Sequence, residues 1–258
     1  MKEKIFFAHA NGFPAEVYND LFTQLKNYQV GYIPLLAHGN DKLKNSWNDI
    51  VPEIIAYFEE HYKEPVWALG HSFGAVCLAR AAEQRPELFK GVILMDPPVL
   101  SRKIRIVLAI TQWLRISKYF MPLAKMAGNR SDFFPSRAFI ATKFRSKYLF
   151  KNFTEASFLN YLNHGFEEQE NGVTLRFKKE VETKIFALTP PFYKKIVHHI
   201  PSYYLYATDG NIAATRSIDE IFHLFPNTKF KAFQGGHLFP LEQTEKCANE
   251  IIKILHSH

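Results

Sequence analysis

Pro65-Val66-Trp67-Ala68-Leu69-Gly70-His71-Ser72-Phe73-Gly74-Ala75-Val76-Cys77-Leu78-Ala79-Arg80 is the stretch that decides the fold. Its first half, up to Leu69, is a short apolar run of the kind that forms a buried strand. Its second half, from Ala75, is small and apolar at helical spacing. Between them lies a Gly-x-Ser-x-Gly pattern, placed at a strand-to-helix turn. A serine on so sharp a turn projects its hydroxyl from the end of the sheet. The flanking glycines follow from sterics, because a Cβ at either position would meet the neighbouring strand or helix. Ser72 is therefore the candidate nucleophile.

The same alternation runs outward in both directions. Ile5–Ala8 reads as a strand entering the breaker-rich loop His9-Ala10-Asn11-Gly12-Phe13-Pro14. Glu16–Leu25 reads as a helix, Val30–Leu36 as a strand, and a loop follows through His38-Gly39-Asn40-Asp41. Ser46 begins a helix through Tyr62, with Asp49 at the capping-box position. Gly91–Met95 is another buried strand, stopped by Asp96-Pro97-Pro98. After a break the pattern resumes with strand Ser202–Ala207, the turn Asp209-Gly210-Asn211, helix Ser217–Phe225, strand Lys229–Phe233 and a closing helix Leu241–Leu255. Strands alternating with helices predict an α/β fold, a mostly parallel twisted sheet with helices on both faces.

The break divides the chain. Residues 1–100 and 196–258 form the expected core, and 101–195 an inserted, mostly helical segment over the strand ends, where the ligand sites of such sheets lie. The net charge is +7, yet residues 101–195 hold 18 Lys and Arg against 7 Asp and Glu. The insertion is also rich in aromatics, from Trp113 and Phe120 through Phe133, Phe134, Phe139, Phe144, Tyr148, Phe150, Phe153 and Phe158 to Tyr161. These side chains would build the insertion's own core or wall an apolar pocket. The surplus cations would steer an acidic substrate, rest on an anionic membrane, or form a solvated face.

Composition excludes several classes. No apolar run reaches the ~20 residues of a membrane span, and Met1–Ala8 reads as no signal peptide, so a cytoplasmic location is expected. The two cysteines, Cys77 and Cys247, supply neither a disulfide framework nor metal-ligand spacing. No Gly-x-Gly-x-x-Gly, His-Glu-x-x-His or Cys-x-x-Cys pair is present, so no cofactor or metal is expected. No nucleic-acid reader motif accompanies the charge, and the chain is expected to be a monomer or a homodimer.

A serine hydroxyl needs a base, and the base an orienting partner. Among eleven histidines, His237 follows a strand and two glycines near the C-terminal end, which would bring it to the same sheet edge as Ser72. His71, inside the turn, reads as structural; His198, His199, His256 and His258 read as solvated.

With these residues in place the chain resembles the α/β-hydrolase superfamily. The resemblance rests on the 9–14 loop, the Gly70–Gly74 elbow, the insertion after Pro98, and Gly235-Gly236-His237-Leu238-Phe239-Pro240. It implies a serine nucleophile at Ser72, a base at His237, and a cap formed by the insertion. It also implies an oxyanion hole from the backbone N–H groups of Phe73 and Asn11, with Ala10 where the family usually has glycine. Two positions compete for the acid. Asp96 ends the strand after the elbow helix, and Asp209 sits in the later turn, one residue before the family's usual register. Asp96 is favoured and Asp209 is the alternative. The expected activity is that of a serine hydrolase cleaving a carboxylic ester or thioester. A C–C bond hydrolase, lactonase or acyltransferase on the same residues is an alternative, and a non-catalytic ligand-binding protein is an alternative of another class. The aspartate-nucleophile relatives, dehalogenases and epoxide hydrolases, are disfavoured by a serine at position 72.

Overall fold

Six parallel strands form the central sheet of the computed structural model, which describes residues 2–39, 43–191, 194–210 and 218–258. They are β1 (Glu3–Ala8), β2 (Tyr28–Tyr32), β3 (Val66–His71), β4 (Phe89–Met95), β8 (Ser202–Ala207) and β9 (Lys229–Phe233), in the order β2-β1-β3-β4-β8-β9. The fold is thus the expected mostly parallel α/β sheet. The central strands read as continuous apolar runs because both faces are covered; every residue of β3 is buried. One face packs on α1 (Asn19–Gln24) and the C-terminal helix Thr244–Leu255. The other packs on α2 (Val51–His61) and α3 (Phe73–Gln84).

The Ser46 capping box forms as expected, with the Ser46 hydroxyl and the Asp49 carboxylate each accepting from the other's end of the turn. Other boundaries differ. The helix expected over Glu16–Leu25 is a short 3-10 turn, Ala15–Tyr18, followed by α1. The second strand ends at Tyr32 and Pro34–Ala37 turns away. Asn40, Asp41, Asn211 and Ser217, named in the expected loops and helix start, lie outside the described residues.

Residues 101–195 enter between β4 and β8. Among the described residues six helices lie there: α4 (Arg102–Trp113), α5 (Ser117–Phe120), α6 (Pro122–Asn129), α7 (Arg137–Phe144), α8 (Glu155–His164) and α9 (Lys179–Ala187). A small antiparallel sheet joins them, formed by β5 (Phe133–Phe134), β6 (Phe166–Gln169) and β7 (Gly172–Leu175) in the order β5-β7-β6. Its strands of two to four residues are too short to show a period of two. The aromatics of the insertion divide. Phe134, Phe144, Phe150, Phe153, Phe158 and Tyr161 are buried in one cluster that also contains Phe13 and Phe7 of the core. Trp113, Phe120, Phe133, Phe139 and Tyr148 face solvent. Polar ties fix the insertion to the core: Arg176 to Glu16, Arg105 to Glu220, and the Trp47 indole N–H donating to the carbonyl of Ile185. Among the described residues no helix is long and apolar enough to cross a membrane.

Candidate active site

The site is assembled at the carboxyl ends of β3, β4 and β9. Ser72 joins β3 to α3 with φ 54° and ψ −118°. The turn closes only because its glycines lack side chains. A Cβ on Gly70 would lie 2.6 Å from Ala75 Cα, and one on Gly74 would lie 2.5 Å from the carbonyl oxygens of both Ala8 and His9. The second approach presses the first turn of α3 onto the end of β1 and sets the 9–14 loop beside Ser72.

Ser72 Oγ lies 2.9 Å from His237 Nε2, and His237 Nδ1 lies 2.6 Å from Asp96 Oδ2. Asp96 is fully buried. Its other carboxylate oxygen accepts the N–H of Ala207 at the end of β8 (2.9 Å), while its own N–H donates to Leu205 (2.8 Å). The carboxylate is therefore seated between β4 and β8. Asp209 is engaged elsewhere: its carboxylate accepts from the Thr208 hydroxyl (2.8 Å), and its N–H donates to Gly235 (3.0 Å). Of the two candidate carboxylates, Asp96 meets the histidine.

Among the described residues four that are not glycine have positive φ, and two of them, Ser72 and Asp96 (φ 48°), are the partners of His237. Each such conformation costs on the order of 1–3 kcal/mol and persists only where the surroundings enforce it. The strain falls on the two residues that must project side chains from strand ends toward one ring.

Phe73 supplies the first N–H of α3, a donor that intrahelical bonding leaves over. Asn11 is nearly buried, and its side-chain amide donates to the carbonyl of Glu182 in α9 (3.1 Å). The loop carrying it is pinned by His9, which accepts the Leu36 N–H at Nε2 (2.7 Å) and donates from Nδ1 to Ala10 (2.8 Å). Burial pushes the His9 pKa down to about 4, so this ring is neutral. Gly12, at φ 82°, faces the Glu182 carboxylate, which is itself raised in pKa by burial and touches the Arg130 guanidinium at 2.5 Å.

A second layer connects these parts. The Tyr18 hydroxyl lies 2.7 Å from His71 Nδ1, and the Ala10 N–H reaches the same hydroxyl at 3.4 Å. His71 Nε2 lies 2.9 Å from the backbone oxygen of His237. Burial drives the His71 pKa down to about 3, helped by nearby His237, and drives the Tyr18 phenol up. A neutral phenol donates to Nδ1, so His71 carries its proton on Nε2 and donates it to His237. Tyr18 and His71 thereby tie the 9–14 loop, the elbow and the His237 loop together. Tyr18→Phe should cost about 1–3 kcal/mol, because His71 Nδ1 would be left buried without a donor. An unchanged denaturation midpoint would refute that assignment of the protons.

The sequence showed His71 as structural, and it is. Tyr18 was not singled out; it lies 53 residues away, and no local signal points to it. His198 departs from its expected exposure. It is buried, with Nδ1 on the Ser202 hydroxyl (2.8 Å) and Nε2 donating to the Ala79 carbonyl (3.0 Å). Cys77 and Cys247 are buried free thiols, and no cluster of three or more metal-ligating side chains occurs among the described residues.

Comparison with known proteins agrees with this arrangement of strands. A family model described as alpha/beta hydrolase fold matches residues 29–244. Two curated relatives, the type I acyl-CoA thioesterases mpaH and mpaH' of Penicillium brevicompactum, are each 29% identical over 107 residues, covering 34% of this chain. The match spans only 25% of the length of each. Among solved structures, the thioesterase domain from the curacin biosynthetic pathway superposes with TM-score 0.71 at 15% identity, covering 98% of this chain and 91% of that one. E-2-(acetamidomethylene)succinate hydrolase superposes with TM-score 0.76 at 15% identity, covering 99% and 91%. The peroxisomal alpha-beta-hydrolase Lpx1 of Saccharomyces cerevisiae gives 0.69 at 13% identity, covering 100% and 77%.

Proposed function

The chain belongs to the alpha/beta hydrolase fold family, and from that premise we propose that it is a serine hydrolase cleaving a carboxylic ester or thioester through an acyl-enzyme. One observation carries the reading: a single histidine ring touches a serine hydroxyl with one nitrogen and a fully buried carboxylate with the other. With Asp96 holding the proton on Nδ1, Nε2 is left as a lone pair aimed at Ser72 Oγ. That is the tautomer a general base requires.

In the proposed reaction Ser72 Oγ attacks the acyl carbon while His237 Nε2 takes its proton. The carbonyl oxygen becomes negative and is met by the N–H groups of Phe73 and Asn11. Such donors act in a fixed, partly dry setting, and removing one typically costs about 10²–10³ in rate. The protonated His237 then delivers its proton to the departing alkoxide or thiolate, leaving Ser72 acylated. A water, deprotonated by the same nitrogen, releases the acid and restores the hydroxyl.

One feature favours an acyl substrate with an apolar portion, and a second favours thioesters among the substrates. The buried aromatic cluster includes Phe13, Phe153 and Tyr161, with Phe13 in the same loop as Asn11. The curated relatives matched in part are thioesterases, which supports including thioesters among the substrates.

A fluorophosphonate probe tests the proposal. The folded wild-type protein should label at Ser72, and Ser72→Ala and His237→Ala should not label. Folded wild-type protein that stays unlabelled would overturn it and favour the non-catalytic ligand-binding alternative.

A further inference from the structure

Helices normally turn their large apolar side chains inward. The first three helices of the insertion leave most of theirs outside. In α4 the inward residues are Leu108 and Thr111, while Ile106, Val107, Ile110 and Trp113 stand out, followed by Leu114. In α6 the buried residues are the small Ala124 and Ala127, and the large Leu123 and Met126 are exposed. Tyr119 and Phe120 of α5 continue the face at 65% and 64% exposure, and Trp113 reaches 82%. Of the fifteen large exposed hydrophobics among the described residues, nine fall between positions 106 and 126. Scattered apolar groups need no explanation, but so many on adjoining helices, α4 against α5 and α5 against α6, mark a surface that something covers.

Charge identifies the occupant. From Ser101 to Ser131 the sequence has seven cations and no acid. Arg105 and Arg130 are paired with Glu220 and Glu182. Arg102, Lys103, Lys118 and Lys125 are exposed on the same helices, and Arg115 is exposed in the turn between α4 and α5. A second copy docking this face on itself would set these cations against their own images, since a two-fold interface pairs a patch with itself. An anionic lipid surface complements them. Trp and Tyr side chains favour the lipid–water boundary, and Lys and Arg beside them reach headgroup phosphates while their stems stay apolar.

We propose that the outward face of α4, α5 and α6 is a docking surface for an anionic lipid interface, with Ile110, Trp113 and Phe120 inserted among the acyl chains and the five exposed cations on the headgroups. The proposal is independent of the hydrolytic reading, because it concerns binding and does not use Ser72.

The other two tryptophans, Trp47 and Trp67, are buried at 3% and 4% exposure, so fluorescence changes on lipid addition report Trp113. Full-length protein is mixed with vesicles of phosphatidylcholine alone or with phosphatidylglycerol, and flotation and emission are recorded. Anionic vesicles should carry the protein up and shift its emission to the blue; neutral vesicles should bind at least about tenfold more weakly. Each of Lys103→Gln, Arg115→Gln and Lys118→Gln should weaken partition about fivefold. Trp113→Phe should abolish the shift, and Ile110→Ser with Phe120→Ser should abolish flotation while leaving the melting temperature unchanged. Ser72→Ala should bind as wild type, which separates a failure here from a failure of the hydrolytic reading. The proposal falls if anionic vesicles leave the protein unbound, or if Ile110→Ser with Phe120→Ser binds like wild type. It falls equally if polyglutamate binds as tightly as vesicles without a blue shift, or if sedimentation shows a dimer that Trp113→Ser dissociates.

Discussion

Asp96→Asn should lower kcat for ester hydrolysis by about 10⁴ with little change in KM, and Asp209→Asn should leave both within about twofold. The asparagine is isosteric, so the strand ends stay in place and substrate still binds. What changes is the face presented to His237. The side chain at position 96 accepts at both oxygens, from His237 Nδ1 and from the Ala207 N–H. An amide can accept at only one of those places. If its oxygen stays on Ala207, its NH₂ group points at Nδ1 and forces the histidine proton onto Nε2. The nitrogen facing Ser72 then has no lone pair to receive the hydroxyl proton. Water cannot substitute for the lost carboxylate because the position is fully buried. Steady-state kinetics on a p-nitrophenyl ester and on an acyl-CoA reads both parameters. Comparable losses in the two variants, or a loss confined to Asp209→Asn, would move the acid to the later turn.

That contrast also marks where the sequence stopped being informative. The elbow was legible because its constraints are local. Gly70 and Gly74 are needed by atoms within a few residues or on the adjoining strand, and the apolar run before and helical spacing after them state the geometry directly. His237 was legible from its place after the last strand. The acid was legible only as a preference for Asp96, because one aspartate ends a sheet strand and the other sits in the turn after a later one, both at plausible distances along the chain. The choice turns on the positive φ at Asp96 and on the Ala207 amide reaching across from β8. These are three-dimensional facts separated by more than a hundred residues. Tyr18, His71 and the backbone of His237 form a network of the same non-local kind. The insertion shows the limit differently. Its basic, aromatic character was visible in composition, but periodicity does not say which stripe faces in. In α6 small alanines took the interior and Leu123 and Met126 the exterior, a reversal that only packing reveals. Likewise His198 read as solvated, yet the Ala79 carbonyl and Ser202 hydroxyl give it two buried partners.

Acid should unfold the protein well above the range in which its carboxylates titrate. His9 and His71 are both fully buried and held neutral, with pKa values lowered to about 4 and about 3 chiefly by burial. In the unfolded chain each titrates near 6.5. Between those limits the unfolded state binds a proton that the folded state refuses, so stability falls as pH falls. Above about pH 6.5 the two states are alike in these groups and stability is flat. Below it each histidine removes about 1.4 kcal/mol per pH unit, and together they remove about 5 kcal/mol by pH 4.5. That is a large part of the 5–15 kcal/mol typical of a folded domain. His38 and His198, also lowered by burial, act in the same direction. Glu182 and Glu242 are raised by burial and oppose it, because the folded state takes up their protons first. Urea denaturation at fixed temperature from pH 8 to pH 4.5 measures the slope. The free energy of unfolding should be level to about pH 6.5 and then drop steeply. His71→Asn, which keeps one donor and one acceptor in the ring's place, should give a less stable protein at pH 8 with a shallower acid slope. A level profile down to pH 5 would mean that His9 and His71 take up protons in the folded state. The Tyr18–His71–His237 hydrogen bonds could then not be made by a neutral ring.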